Sequence, residues 1–398
     1  MTTPNHRIPL SVPAVLGNEA RYLAECVETA WVSSRGAFVD RFEADLARLT
    51  GRRHAIACVN GTAALHLALV VAGVEPDDEV LVSDLTFVAS GHAIRYCGAW
   101  PVFIDAEPRY WQMDVEKLAA FLAGECVTRG GRLVNRATVR RVRAILPVHI
   151  LGHPVDMAPV LELARRYGLV VVADAAEALG SAYQGKPAAA FGDLATLSFN
   201  GNKIVTTGGG GAVVTDDDAL AARARYLSTQ AKDDEREYTH GAVGYNYRLT
   251  NLQAAFGVAQ LERFDHCLAR KRATAAFYRE ALAGVAVTLP DEAPWAGSTW
   301  WLYTVLVDEA RFGMTRRDLM ARLDEAGIET RPLWTPLSRQ RSLAGCQAYH
   351  CDRSAELQRR SISLPSSVGI EPADLERVVA TLAGLAAAPA VPPEAHGG

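Results

Sequence analysis

This chain of 398 residues lacks the marks of several protein classes. No apolar run approaches the roughly 18–20 residues that span a bilayer, and residues 1–7 are polar and soon followed by prolines. Neither a membrane span nor a cleavable signal is therefore expected. An excess of one charge is missing too. The 41 Lys and Arg nearly balance the 45 Asp and Glu, leaving a formal charge of −4 and no electrostatic case for nucleic acid or an anionic membrane as partner. The 7 cysteines are scattered and include no Cys-x-x-Cys pair, which suits reduced thiols in a cytoplasmic protein. No Gly-x-Ser-x-Gly elbow marks a serine hydrolase. A Gly-x-Gly-x-x-Gly reading of the run beginning at Gly208 fails, because Val213 stands where the last glycine is needed. His149 and His153, near Asp156, invite a metal. Gly152 and Pro154 make that segment a turn, no cysteine joins them, and no metal is expected.

What is present is a core-forming sequence, 49% hydrophobic and 22% charged, with room for two or three domains of about 100–200 residues. From residue 55 to 215, short apolar runs alternate with helical patterns, which predicts an α/β fold with a mostly parallel sheet covered on both faces. Residues 130–141 read as a basic, glycine-containing excursion and 232–237 as a charged loop. A single helical stretch over 252–282 precedes a smaller α+β unit. The expected division is an arm over 1–16, a large domain over 17–250, a linking helix with a small domain over 251–385, and a flexible tail over 386–398.

In such a sheet, ligands sit beyond the carboxyl ends of the strands. Lys203 falls there, in Ser198-Phe199-Asn200-Gly201-Asn202-Lys203, just ahead of four glycines, Gly208 to Gly211, that read as a close-approach turn beside a ligand. An amine in that setting suits imine formation with a bound carbonyl. Asp174 ends the run 169–173 and could hold a protonated ring nitrogen or simply cap a helix. Gly61 and Thr62 open a helix and suit a phosphate, though plain capping gives the same pattern. Phe87 follows another strand and could stack on a ring or fill the core. Together these residues offer an amine for an aldehyde, an acid for a ring nitrogen and a cradle for a phosphate. Tyr245-Asn246-Tyr247-Arg248 sets aromatics, an amide and an arginine in one loop, for a ligand or an interface.

These segments resemble the fold-type I, pyridoxal phosphate (PLP)-dependent sugar aminotransferases of the DegT/DnrJ/EryC1/StrS family, from about residue 8 to 380. The likeness rests on Trp31–Gly36 (WVSSRG), Val59–Leu69, Asp84–Phe87, Ala173–Gly180, Ser198–Lys203, Gly244–Asn251 and Gly327–Pro332, all in order. It implies that Lys203 is the Schiff-base lysine and Asp174 the partner of the ring nitrogen. Phe87 would stack on the ring, and Gly61, Thr62, Ser198 and Asn200 would hold the cofactor. Glu177 stands where many members have Gln near the ring hydroxyl. Asn246 would reach the phosphate of the other subunit, which implies a homodimer. Trp31, Ser33 and Ser34 would wall the sugar site. Arg248 and Arg331 are candidates for the donor carboxylate or the substrate diphosphate, with structural ion pairs the alternative.

The implied activity is amino transfer from L-glutamate to the C4 ketone of a nucleotide-linked 4-keto-6-deoxy sugar. The segments 130–136, 147–157, 229–232 and 346–349 are similar to the branch that makes UDP-N-acetylbacillosamine on the route to legionaminic acid, with GDP-perosamine synthesis as the alternative. A dehydratase of this fold would carry His in place of Lys203. In Trp334-Thr-Pro-Leu-Ser338 the family usually has His where Ser338 stands, so a difference in substrate placement is expected on that side.

Overall fold

The central strands are apolar along their whole length because both of their faces are covered, and their side chains still alternate between two cores. Leu81, Ile145, Val171 and Val214 point into one core. Val80, Val82, Leu146, Val172 and Val213 point into the other. The computed structural model describes residues 6–234 and 236–387. Residues 1–5 of the expected arm and 388–398 of the expected tail lie outside them.

The large sheet has eight strands, in the order His54–Cys58, Gly211–Thr215, Leu194–Ser198, Val170–Asp174, Val142–Leu146, Glu79–Ser83, Trp100–Ile104 and Gln347–Tyr349. Gly211–Thr215 runs antiparallel to both of its neighbours, and the other pairings are parallel. The last strand comes from late in the chain, where the sequence shows only three residues of moderate polarity. A second, three-stranded antiparallel sheet is built from Val287–Thr288, Tyr303–Val307 and Ser361–Leu364 and packs with helices Arg316–Glu325 and Pro372–Ala387. The expected arm is extended at Ile8, which is buried and pairs with Ile328.

Three local expectations are revised. The stretch over 252–282 divides at Arg263 into helices Asn251–Glu262 and Phe264–Ala281. No glycine or proline marks the break. The first helix is held by a Thr250–Gln253 capping box and packs against Glu19–Glu28 and Ala37–Thr50, whereas the second turns toward the C-terminal core. The basic excursion is a hairpin, Cys126–Arg129 with Arg132–Asn135, turned by Gly130 and Gly131 at φ +55° and +75°. The charged loop contains a short strand, Lys232–Asp234, paired with Thr239–His240. Among the described residues no helix is long and apolar enough to cross a membrane.

His149 and His153 are engaged by the backbone. His149 accepts from the Val155 N–H at 3.0 Å. His153 meets the Pro154 carbonyl at 2.8 Å and the Ala293 N–H at 3.1 Å. Burial pushes them down to about 3 and about 4, so both rings are neutral structural groups.

Candidate active site

The strands ending at Cys58, Ser83, Asp174 and Ser198 deliver their following residues into one cleft of about 330 Å³. Gly61, Thr62, Phe87, Asp174, Glu177, Ser198, Asn200 and Lys203 all line it. This is the carboxyl-end crevice of an open α/β sheet.

One wall is the start of helix Gly61–Val71. Asn60 caps it, its side chain accepting from the Ala63 N–H at 2.8 Å. The first N–H groups of a helix have no intrahelical acceptor and present a positive dipole end, which suits an anion. A Cβ at Gly61 would lie 2.8 Å from that of Ser198, so a side chain there would force this helix start away from the strand end. The floor holds Asp174, 3% exposed. Its carboxylate accepts from Ser90 Oγ at 2.8 Å and from the Ala176 N–H at 3.0 Å. Burial raises its pKa, while those two donors and the Lys203 charge pull it back. A cationic partner in the cleft would act in the same direction as Lys203 and hold the carboxylate ionised.

Lys203 sits in a turn closed by its N–H on the Asn200 carbonyl at 3.0 Å. Its Nζ lies 3.5 Å from Glu177 Oε1 and 3.8 Å from the centroid of the Trp301 ring. Glu177 is itself buried, which raises its pKa against the pull of Lys203. Its other oxygen accepts the Leu151 N–H at 2.7 Å. Leu151 reaches that position at φ +60°, a left-handed conformation that a branched side chain resists. Trp301 is fixed on three sides. Its indole Nε1 donates to the Asn202 carbonyl at 2.7 Å, its N–H to the Leu151 carbonyl at 3.1 Å, and its carbonyl accepts from Lys271 Nζ at 2.7 Å.

Sequence reasoning missed Ser90, Trp301 and Trp334, all of which line the cleft. Ser90 had a faint signal, lying four residues after Thr86 at the start of helix Ala89–Tyr96, with the two hydroxyls 3.3 Å apart. The two tryptophans come from distant chain and had none beyond their type. The glycine run serves two purposes. Gly209 and Gly210 line the cleft, as a close-approach turn would. Gly211, however, packs on backbone, where a Cβ would meet the Asn60 carbonyl oxygen at 2.5 Å.

The remaining candidates do not line this cleft. Trp31, 58% exposed, and Ser33 belong to the turn between helices Glu19–Glu28 and Ala37–Thr50. Their carbonyls accept from Asn251, at 2.8 Å from its Nδ2 and 2.6 Å from its N–H. Ser34 and Arg248 line a separate hollow of about 330 Å³. Asn246 is exposed and bridges to Thr229. Arg331 pairs with Glu329 at 2.6 Å and donates to its neighbour's carbonyl, the structural ion pair that was its alternative. Ser338 is turned onto Asp84 and away from the cleft.

An amine, a buried acid and a helix N-terminus around one cavity form a donor set that fits an aldehyde-bearing, phosphorylated pyridine. Residues 14–383 match the DegT/DnrJ/EryC1/StrS aminotransferase family, and the chain belongs to it. GDP-perosamine synthase of Caulobacter vibrioides is 43% identical over 378 residues, covering 94% of this chain and 97% of that protein. GDP-perosamine synthase of Vibrio cholerae is 38% identical over 366 residues, covering 91% and 95%. Among solved structures, DesV from S. venezuelae, in complex with a ketimine intermediate, superposes with a TM-score of 0.84 at 31% identity, covering 97% of this chain and 100% of that one. The protein is thus a PLP-dependent nucleotide-sugar aminotransferase of fold-type I.

Proposed function

We propose that the enzyme moves the amino group of L-glutamate to the C4 ketone of a GDP-linked 4-keto-6-deoxy sugar, giving a GDP-perosamine-type product. The observation that carries this choice of sugar is the 43% identity, over nearly the whole chain, to a GDP-perosamine synthase. The alternative drawn from sequence is therefore better supported than the UDP-N-acetylbacillosamine reading.

When bound, PLP supplies an aldehyde that takes up the amino group and a ring that accepts electron density. This chain's residues supply the rest. Lys203 Nζ would anchor the cofactor and, once freed, would take up and return a proton. Asp174 would keep the ring nitrogen protonated, and Ser90 and the Ala176 N–H hold its carboxylate in place. Gly61, Thr62, Ser198 and Asn200 would hold the phosphate side, and Phe87 would stack on the ring. Glu177, with Oε1 3.5 Å from the amine, orients Lys203. Trp31, Ser33, Ser34, Asn246 and Arg248 lie outside their own chain's cleft, which supports a homodimer in which they complete the partner's cleft. Mixing Lys203→Ala with Asn246→Ala subunits would then restore activity that neither variant has alone; no restoration would argue for self-contained sites.

The function is tested by following the visible band of the PLP-loaded protein while glutamate is added, then supplying GDP- and UDP-linked 4-keto-6-deoxy sugars. Glutamate should bleach the band, and the GDP sugar should restore it faster. Restoration by the UDP-GlcNAc derivative alone would return the choice to the bacillosamine branch.

A further inference from the structure

Ser338 does not line the cleft, and what it does instead is visible. Its N–H and its hydroxyl both donate to the carboxylate of Asp84, at 2.7 and 3.0 Å. The N–H of the preceding Leu337 donates to the Asp84 carbonyl at 2.9 Å. Asp84 is wholly buried, at the head of the segment that carries Phe87. Trp334, four residues before Ser338, lines the cleft opposite Phe87, their ring centroids 6.2 Å apart at 66°.

The rest of the 334–343 segment is docked on the same support. Leu337 and Leu343 are buried against helix Ala89–Tyr96, where a Cβ at Gly91 would come within 2.8 Å of Leu343 and 3.3 Å of Leu337. The His92 ring meets Ser342 Oγ at 2.9 Å. Asp84 also has a second acid nearby. Asp105 is buried too, with its charge met by Lys117 at 2.5 Å and by the Ser354 hydroxyl at 2.6 Å. Ser354 also reaches toward Asp84 and the Cys351 thiol faces it, but the N–H and hydroxyl of Ser338 are the strongest donors to the Asp84 carboxylate. A buried acid deprived of its donors is costly, and the segment that brings them is held correspondingly firmly.

The geometry points to Asp84 and Ser338 as positioning residues that clamp the 334–343 segment onto the 84–91 segment, fix the gap between Phe87 and Trp334, and so set how well the cleft holds its sugar acceptor. The part concerning the acceptor rests on the aminotransferase function proposed above; the clamp itself does not. Neither residue touches the reacting atoms. The donor half-reaction, which needs Lys203 and Asp174, should be nearly indifferent to the clamp.

The test compares Ser338→Ala, Ser338→Thr and Asp84→Asn in the PLP-loaded enzyme, by steady-state kinetics for both substrates and by amide hydrogen exchange over 334–343. Loss of one hydrogen bond to a buried carboxylate corresponds to roughly a tenfold change in the ratio of docked to undocked segment. Ser338→Ala should raise KM for the sugar by up to about that factor, leave the glutamate half-reaction within about twofold, and speed exchange over 334–343 by roughly tenfold. Ser338→Thr, which keeps the hydroxyl, should resemble the parent. An unchanged sugar KM in Ser338→Ala, or an equal loss in the glutamate half-reaction, would overturn the positioning role. Unchanged exchange would overturn the clamp, even if Asp84→Asn failed to fold. Should the parent aminate no sugar while exchange still rises in Ser338→Ala, the proposed acceptor fails and the clamp stands.

Discussion

Lys203 and Lys271 both lie largely beneath the surface, and their surroundings separate the amine proposed to react from a structural one. Lys203 has 13% of its side chain exposed, in a cleft, with Glu177 at 3.5 Å and the Trp301 ring beneath it. Lys271, on helix Phe264–Ala281, is 2% exposed and donates to the Trp301 and Ser366 carbonyls. Burial pushes Lys271 down to about 7. The two are linked, since one faces the ring of Trp301 and the other holds its carbonyl. Burial alone therefore does not make a lysine catalytic. Access from a cleft, and acids that can trade charge with a ligand, are what Lys203 has and Lys271 lacks.

The largest expected effect separates them directly. Lys203→Ala should cut turnover by roughly 10²–10⁴-fold or more through loss of proton transfer, and should change the visible band of bound PLP. Lys271→Met should keep the band. A Lys203→Ala protein that turned over at the parental rate would remove the distinction.

Lys271 should instead show itself in the pH dependence of stability. The unfolded chain holds this proton up to the ordinary lysine value of 10.5, and the folded chain releases it near 7. Between those values the unfolded state binds more protons, so stability rises with pH. The difference in unfolding free energy between the parent and Lys271→Met should climb by about 1 kcal/mol per pH unit from pH 7 toward 10. A flat difference would mean that Lys271 stays charged against its two carbonyls.

Lys203 was legible in the sequence and the role of Trp301 was not, for a physical reason. Gly61, Asp174, Ser198 and Lys203 each lie at or just beyond the carboxyl end of a strand of one sheet, so the strand ends place them together. Trp301 and Trp334 reach the cleft from chain that first builds another core, and no local spacing encodes that return. The same holds for strand Gln347–Tyr349, which closes the edge of the large sheet beside Trp100–Ile104. Motif residues can also carry a structural duty that the sequence does not announce. Within its own chain the carbonyls of the Trp31–Gly36 turn serve Asn251, and a Cβ on Gly36 would strike the Asn251 side chain at 2.3 Å. A helix break without glycine or proline, as at Arg263, is likewise decided by packing partners that lie far away in sequence.

The smallest predicted effect bears on the residue that joins the two lysines. Trp301→Phe keeps an aromatic ring under Lys203 but removes the indole bond to the Asn202 carbonyl, next to Lys203 in the chain. A neutral hydrogen bond contributes about 1 kcal/mol, and phenylalanine is a weaker cation–π partner than tryptophan. Turnover should fall only about two- to tenfold, with PLP still bound. Trp301→Ala should go further, since it also opens space beneath the lysine. If Trp301→Phe left turnover untouched, the Trp301 ring would be a passive wall, and the chain of contacts from Lys271 to Lys203 would be structural at both ends.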